Sequence, residues 1–321
     1  MRSKLLALAF FLPLAATAAH AQISAGTGAA TGTLAQRIGH YDASKIVPRN
    51  APYGGAGQFA YTRLLADGAL STSLNYMERG IILPRSSIGE HFHGHSEELH
   101  IIIGGPDPQY TIDGRTAVLP TPAGVPVRMG SSHGTYNPSA DKPIEWIDIN
   151  VGLTKGSDSY TYGDSLATPP LLDRIPHFVN FRIDPKLLKP VEKMNGGTGT
   201  VMYRRLLEPT VFLTPWSYVD EISVPAGASL GAVTDPTMSE VFYVLSGSGS
   251  VTVNKETVNI KEGDAIPIDL GQTYSLAQSG SEPLHLLTYG VAKDLAAKEA
   301  FITRTRGAAS RVLTGSALPA N

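Results

Sequence analysis

The chain has 321 residues, no cysteine, 26 basic and 28 acidic side chains, and a formal net charge of −2 at pH 7. Without cysteine it has neither a disulfide framework nor a lipidated cysteine, so its stability has to come from a hydrophobic core. The balanced charge, without clusters of Lys and Arg, argues against a nucleic-acid partner. Gly (33) and Pro (23) interrupt short runs rich in Val, Ile, Thr and Tyr, so we predict an all-β protein.

Residues 1–21 predict a secretory signal peptide. Arg2 and Lys4 precede an apolar run from Leu5 to Ala18 and a small-residue triplet that ends at Ala21, after which we expect cleavage. The run is too short to span a bilayer, so no membrane contact is expected once the signal is removed. The mature chain is expected in the periplasm or outside the cell. It would carry 24 basic and 28 acidic side chains, a formal charge of about −4.

About 300 mature residues suffice for two domains. Residues 22–55 are rich in Gly, Ala and Thr without a period, which predicts a loosely packed N-terminal arm without a functional role. Strand-like runs fill residues 56–155 and again residues 199–292, and the turn-rich residues 156–198 between them predict a linker. Residues 293–321 predict a C-terminal helix and tail. Hairpin turns are expected at Asp113-Gly114 and Asn254-Lys255-Glu256.

The two strand-rich regions are repeats of each other. Glu98 has Gly89 nine residues before it and Gly105 seven residues after it. Glu240 has glycines at the same two distances, and the offset between the copies stays at 141 to 142 residues. A fixed offset predicts two tandem copies of one structural unit.

Histidines are concentrated in the first copy. Five of the nine lie between His91 and His133, and four of these five fall within ten residues. Alternate side chains of an extended strand share a face, so His91 and His93 project together. Glu98 opens the next apolar strand, and His133 can arrive from a later one. Three imidazole nitrogens and one carboxylate suit a first-row divalent ion with open positions, so we predict these four residues as metal ligands.

The same residues resemble the motifs of the cupin superfamily. The first motif, G-x5-H-x-H-x3,4-E-x6-G, is matched at the three ligand positions His91, His93 and Glu98 and at Gly105. The second motif, G-x5-P-x-G-x2-H-x3-N, is matched at its last glycine, its histidine and its asparagine: Gly130, His133 and Asn137.

Three motif positions depart from the pattern, since Arg85 and Pro122 replace glycines and Arg128 replaces the proline. None of them is a ligand position. The resemblance implies two tandem cupin (double-stranded β-helix, jelly-roll) barrels with a short C-terminal helix, and all four ligands pointing into the first barrel.

The second copy has lost the histidines. Val233, Asp235 and Tyr274 stand at their positions, and only Glu240 remains of the ligand set. We therefore predict a degenerate second barrel and one divalent transition metal per chain, with Mn, Fe, Ni, Cu and Zn all open. Whether the inward face of the second barrel binds an organic compound also stays open.

Two further residues are candidates for catalysis. His100 shares the inward face with Glu98 and would serve there as an acid, a base or a hydrogen-bond donor, or in a structural role. Arg128, five residues before His133, would pair with an anionic group of a substrate or lie on the surface. His95 would be a ligand only in a shifted register. Opposite strand parity places Glu90 and Glu97 outside the ligand set, and His40, His177 and His285 are isolated.

For function, the resemblance implies an exported metal-dependent bicupin enzyme. We favour an oxidoreductase of dioxygenase type acting on a small oxygen-rich organic substrate, because the ligand set is intact, open and close to proton-transfer groups. The alternatives are a metal-dependent isomerase, lyase or hydrolase, and a non-catalytic cupin that binds a metal or a metabolite. Exposed strand edges leave a homo-oligomer open.

Overall fold

The structure, a computed structural model, describes residues 31–168 and 171–313, with side chains as far as residue 306. The predicted signal peptide therefore lies outside the described residues. Strands dominate the part that is described, and two α-helices accompany them, which confirms the all-β prediction. No helix of this part is both long and apolar enough to cross a membrane.

The first half of the chain forms a sandwich of two antiparallel sheets. The described part of the chain begins with α1 (Leu34–Arg37) and β1 (Gly39–His40), which pairs with a strand of the second half. The strands of the first sandwich are β2 (Arg49–Asn50), β3 (Gln58–Leu65), β4 (Leu74–Ile82), β5 (Ser87–Phe92), β6 (Ser96–Gly104), β7 (Gln109–Ile112), β8 (Arg115–Val118), β9 (Ala123–Val127), β10 (Ser132–Tyr136), β11 (Ile144–Gly152), β12 (Tyr160–Thr161) and β13 (Phe181–Arg182). The seven-stranded sheet has the order β13-β9-β6-β11-β4-β3-β2, and the five-stranded sheet the order β12-β5-β10-β7-β8.

The second half repeats this arrangement. Its elements are β14 (Lys189–Glu192), β15 (Thr200–Leu207), β16 (Trp216–Val224), β17 (Ser229–Thr234), β18 (Met238–Ser246), β19 (Ser248–Val253), β20 (Glu256–Lys261), β21 (Asp264–Ile268), β22 (Thr273–Gln278), β23 (Leu284–Ala292) and α2 (Leu295–Leu313). The sheet orders are β1-β21-β18-β23-β16-β15-β14 and β17-β22-β19-β20. Short 3-10 turns lie at Pro185–Leu187, Met194–Gly196 and Pro209–Val211.

Strand register confirms the internal repeat. In the first domain β10 pairs with β5 so that His133 faces His91. In the second domain β22 pairs with β17 so that Tyr274 faces Val233. The residues that the repeat placed at equivalent positions therefore occupy equivalent positions in the two sandwiches.

Both predicted hairpins are present. Asp113 (φ 49°) and Gly114 (φ 71°) form the two-residue turn between β7 and β8, a conformation that favours Gly and Asp because both φ angles are positive. The second turn consists of Asn254 and Lys255 alone, since Glu256 already pairs in β20.

The two domains share one hydrophobic core. The outer faces of the two seven-stranded sheets pack against each other, with Met77, Ile147 and Ile149 on one side and Trp216 and Leu287 on the other. All five side chains are fully buried. Each large sheet is therefore buried on both faces, and its inner face is left to line a cavity within its own domain.

The expectation of a loosely packed arm is wrong for its described part. Leu34 is fully buried in the core of the second domain, and β1 adds a strand to that domain's large sheet. His40 is not isolated, because its Nδ1 lies 2.7 Å from Asp264 Oδ1. Further along the arm, Tyr53 stacks on the His91 imidazole with 3.7 Å between ring centroids. The arm thus connects the second domain to the predicted metal site of the first.

The predicted linker and helix have defined positions. Within residues 156–198, β12, β13 and β14 each pair with a strand of one of the domains, so this segment packs along both sandwiches. The C-terminal helix α2 begins at Leu295, where the Asp294 carboxylate accepts a hydrogen bond of 2.7 Å from the Ala297 amide.

Candidate metal centre

The four predicted ligands meet inside the first sandwich. His91 lies in β5 and His93 directly after it, while Glu98 comes from β6 and His133 from β10. One donor atom from each residue lies within 4.8 Å of the donor atoms of the others, and all four side chains are buried. The alternation of β5 places Phe92 on the opposite face, where it stacks on Tyr160 of the linker.

Backbone carbonyls orient two of the imidazoles. His91 Nδ1 donates to the Gly89 carbonyl at 2.9 Å, and His93 Nδ1 donates to the Asp158 carbonyl in the linker. A carbonyl can only accept, so each ring carries a proton on Nδ1, and Nε2 is the nitrogen that is available to a metal once it is deprotonated. His93 Nε2 lies 3.2 Å from Glu98 Oε1 but outside hydrogen-bonding geometry, so this buried nitrogen has no hydrogen-bond partner in the chain. Hydrogen bonds from Nδ1 to backbone carbonyls, as in His91 and His93, commonly orient the histidine ligands of a metal.

The Glu98 carboxylate is held on both of its oxygens. Oε1 accepts hydrogen bonds from the Tyr76 hydroxyl and, at 3.1 Å, from the Asn150 amide. Oε2 lies 2.8 Å from His133 Nε2 and 3.5 Å from His100 Nε2. The carboxylate is therefore fixed between the predicted ligands and His100.

Burial and neighbouring charge set the protonation of these groups. Burial lowers the pKa of His133 to about 4 and that of His91 well below its usual value, so both rings are neutral at neutral pH, as metal ligation requires. Burial opposes charge on His93 as well, but the Glu98 carboxylate outweighs it and raises the pKa of His93 to about 9. Burial also works against ionised Glu98, but the surrounding imidazoles, His93 first, hold the pKa of Glu98 well below its usual range.

Other ionisable groups surround the predicted ligands. Besides Glu98, the buried carboxyls of Glu78 and Asp148 line the same cavity, and Arg63 is the guanidinium that faces them, donating to Glu78 Oε1 at 2.6 Å. Burial, followed by the charge of Asp148, raises the pKa of Glu78 to about 7. Burial, followed by the charge of Glu98, also raises the pKa of Asp148, whose Oδ1 has no hydrogen-bond partner. The convergence of three imidazoles and one carboxylate, all buried, is a donor set that fits a first-row divalent ion.

The donor set faces a cavity of about 180 Å³. Its walls combine aromatic rings with polar groups, among them Tyr61, Arg63, His100 and Trp146. Tyr53 of the arm and Ser159 of the linker also line it. The segment around Tyr53 can approach so closely because β5 carries Gly89, where an added Cβ would lie 2.3 Å from the Tyr53 carbonyl oxygen.

The two candidate catalytic residues have different positions. His100 is buried on the cavity wall, with Nε2 3.5 Å from Asp148 Oδ1. Burial works against its charge, but Asp148 and Glu98 outweigh burial and raise the pKa of His100 to about 10.

Arg128 requires a correction. Its guanidinium donates to the carbonyl oxygens of Val211 (2.6 Å) and Thr210 (3.1 Å) in the second domain. Arg128 directly follows β9 and is not among the residues that line the cavity of the predicted ligands. Its side chain therefore contacts the second domain rather than a substrate in that cavity. His95 is exposed and contacts Asp158, outside the donor set.

Sequence reasoning missed several neighbours of the ligands. Asp148 and Asn150 alternate with apolar residues along β11, which was a signal for that part of the wall. Tyr76 and Glu78 flank Met77 in β4, but Asn75 and Arg79 beside them hide the alternation. No strand periodicity marks Tyr53, because it precedes β3 in a loop.

Glu97 was correctly placed outside the ligand set, and the structure gives it another role. Its buried carboxylate accepts hydrogen bonds from the Leu213 amide (2.9 Å), the Thr214 amide (2.8 Å) and the Thr214 hydroxyl (2.7 Å). These donors belong to the second domain, so β6 contacts the metal centre with one side chain and the domain interface with the next.

The second domain has no equivalent donor set. Among the described residues, the groups of three or more side chains that could hold a metal lie in the first domain. Glu240 accepts a hydrogen bond from the Tyr218 hydroxyl, and Asp235 lies 3.6 Å from Arg304 of α2.

Two repeated jelly-roll sandwiches, one with a buried His/Glu donor set and one without, define a two-domain protein of the metal-binding β-sandwich class. The family model described as "Cupin domain" matches residues 221–290. The chain belongs to the cupin superfamily, as a bicupin with an intact histidine site in its N-terminal domain and a degenerate C-terminal domain.

Curated relatives and solved structures agree with this assignment. An oxalate-binding protein of Thermotoga maritima is 29% identical over 97 residues, which are 30% of this chain and 80% of the relative. An uncharacterized protein of Methanocaldococcus jannaschii is 30% identical over 84 residues, 26% of this chain and 67% of the relative. A variant of salicylate 1,2-dioxygenase from Pseudoaminobacter salicylatoxidans, in complex with gentisate, superposes with a TM-score of 0.57 at 17% identity, covering 82% of this chain and 86% of that one.

Proposed function

We propose that this bicupin is an exported metal-dependent oxidoreductase of dioxygenase type that acts on a small oxygen-rich organic substrate. The observation that carries the proposal is the position of the His/Glu donor set at one wall of a cavity whose other walls are aromatic and polar. Such a cavity has room for a substrate beside the ion, as a catalytic rather than a purely structural metal site requires. The likeness to a two-domain dioxygenase in complex with gentisate supports the choice of reaction type.

Each group of residues in the cavity has a different proposed role. A redox-active divalent ion held by the four ligands would polarise substrate oxygens and supply the electron transfer that a reaction with dioxygen requires. The rings of Tyr61 and Trp146 offer faces for an aromatic or enolic substrate. Arg63, held by Glu78, presents a cation to an anionic substituent. His100, between Glu98 and Asp148, holds a proton at Nε2 within the cavity.

Oxygen uptake tests the reaction type. Purified chain loaded separately with iron(II), manganese(II), nickel(II), copper(II) and zinc(II) is incubated with gentisate, salicylate and catechol in an oxygen-electrode cell. We expect one metal form to consume one dioxygen per substrate consumed, and His91→Ala to abolish this uptake. His95→Ala, an exposed neighbour, is the matched control. Turnover that proceeds equally well without dioxygen would contradict the dioxygenase assignment.

A second candidate is binding or breakdown of a small dicarboxylate. The similarity to an oxalate-binding protein favours it. Calorimetric titration with oxalate, together with measurement of CO₂ release, separates the two candidates. Oxalate binding at one site per chain without oxygen consumption would support the binding protein, and CO₂ release without net oxidation would support a lyase.

Export is part of the proposal and has its own test. The signal-like residues 1–21 support it. Expression of the full chain in a bacterial host should yield a mature product in the periplasmic fraction that begins at Gln22, as intact-mass measurement will show. A product that retains residues 1–21 in the cytoplasm would contradict it.

A further inference from the structure

The second domain contains a cavity of about 200 Å³. Strand register places it at the same position in its sandwich as the metal-centre cavity in the first. In β3 and β4 Arg63 pairs with Glu78, and in β15 and β16 Arg205 pairs with Asp220. Arg205 also binds Asp220 through its side chain, as Arg63 binds Glu78. The guanidinium–carboxylate wall is thus present in both copies.

A second polar element is also retained. The Tyr218 hydroxyl donates to Glu240 in the second domain, as the Tyr76 hydroxyl donates to Glu98 in the first. What has changed is the set of imidazoles. Val233, Asp235 and Tyr274 stand at the positions of the three histidine ligands, and Phe242 stands at that of His100. The second cavity therefore keeps the Arg–carboxylate and Tyr–Glu contacts of the first but not its set of metal donors.

The charged groups of this cavity already have partners inside the chain. Asp220 is bound by Arg205 and by the Tyr203 hydroxyl at 3.1 Å, and Glu240 by Tyr218. The Thr288 hydroxyl also lines the cavity; it is buried, in a residue that is 3% exposed, and it has no hydrogen-bond partner in the chain. A buried hydroxyl without a partner is costly, and its complement is a neutral hydrogen-bonding group rather than a counter-ion.

Aromatic and aliphatic side chains form the rest of the surface. Leu230 and Phe242 lie in the depth of the cavity, and Phe301 of α2 packs over Tyr218 with 5.7 Å between ring centroids. We propose that this second cavity is a metal-free binding site for a small uncharged hydroxylated aromatic compound, held by the Thr288 hydroxyl and stacked among these rings. An anion would meet the Glu240 carboxyl beside the Arg205–Asp220 pair, without the histidines and the metal site of the first domain to offset its charge, which disfavours it.

Binding of catechol to the full-length, metal-loaded protein tests the proposal by calorimetry. Leu230→Phe narrows the second cavity, and Ile88→Phe makes the matched change at the equivalent lining position of the first. We expect binding that survives Ile88→Phe and resists a metal chelator, but weakens at least tenfold in Leu230→Phe. Thr288→Val keeps the volume while removing the hydroxyl, and should weaken this binding several-fold even if Leu230→Phe fails to fold.

Three outcomes would overturn the proposal. They are absence of catechol binding in the wild-type protein and in Ile88→Phe, catechol binding in Ile88→Phe that an added Thr288→Val leaves unchanged, and benzoate binding in Ile88→Phe as tight as that of catechol. Because Ile88→Phe and the chelator separate the second cavity from the first, and binding rather than turnover is measured, the result does not depend on the proposed oxidoreductase activity.

Discussion

Replacement of the buried Glu97 by Ala should destabilise the contact between the two domains. The substitution leaves two buried donors without an acceptor, the Thr214 amide and the Thr214 hydroxyl, and with them the partly buried Leu213 amide. An unsatisfied buried donor costs about 1–3 kcal/mol, and some water will enter the gap. We therefore expect a loss of about 3–6 kcal/mol in the free energy of unfolding.

Urea unfolding followed by tryptophan fluorescence measures this loss, because Trp216 lies in the shared core. Glu90→Ala is the matched control, since Glu90 also neighbours a predicted ligand but is half-buried and accepts one side-chain hydrogen bond, from Ser132. It should cost about 1 kcal/mol. Metal content should stay unchanged in both variants. A loss in Glu97→Ala no larger than that in Glu90→Ala would refute the interface role of this carboxylate.

Three further predictions concern the metal, pH and Arg128. Elemental analysis should find one divalent ion per chain, reduced at least tenfold by His91→Ala and unchanged by His95→Ala; a second ion in the wild-type protein would contradict the single site. Burial raises the pKa of Asp220 to about 6, above its unfolded value, so its contribution to stability is fully present below about pH 4 and is lost as the pH rises through 6. Asp220→Asn should therefore flatten the dependence of the urea midpoint on pH between 4 and 6, and an unchanged slope would refute this. Arg128→Met should lower the stability of the domain contact by about 1–2 kcal/mol and leave the KM for any substrate unchanged. A raised KM would show that Arg128 contributes to substrate binding.

Most of the fold and the four predicted ligands could be predicted from local sequence patterns. The alternation of β5 brings His91 and His93 to one face, and the repeat offset matches the strand register of both domains. These features depend on neighbours in sequence or on a fixed period, which a single chain displays directly. The loss of the histidines in the second copy was readable for the same reason.

The remainder depends on contacts between distant parts of the chain. Neither the packing of Tyr53 on His91 nor the hydrogen bond from His93 to the Asp158 carbonyl has a periodic signature, because Tyr53 and Asp158 both lie in loops. Arg128 was misassigned because a position near the end of β9 does not reveal that the second domain lies beside it. The face-to-face packing of the two large sheets was equally hidden, since an apolar outer face predicts burial but not the partner.

The consecutive glutamates of β6 have a consequence for folding accuracy. Because side-chain direction alternates, a slip of β6 by one residue would turn Glu97 to the cavity face and Glu98 to the outer face, so each face would keep a carboxylate. By face alone, the pair therefore does not discriminate between the two registers. Discrimination falls to Leu99 and His100, because the slipped strand would place an imidazole in the apolar contact between domains and an isobutyl group on the cavity wall. The histidine beside the metal centre thus also serves as the residue that penalises mispairing of the strand on which the centre is built.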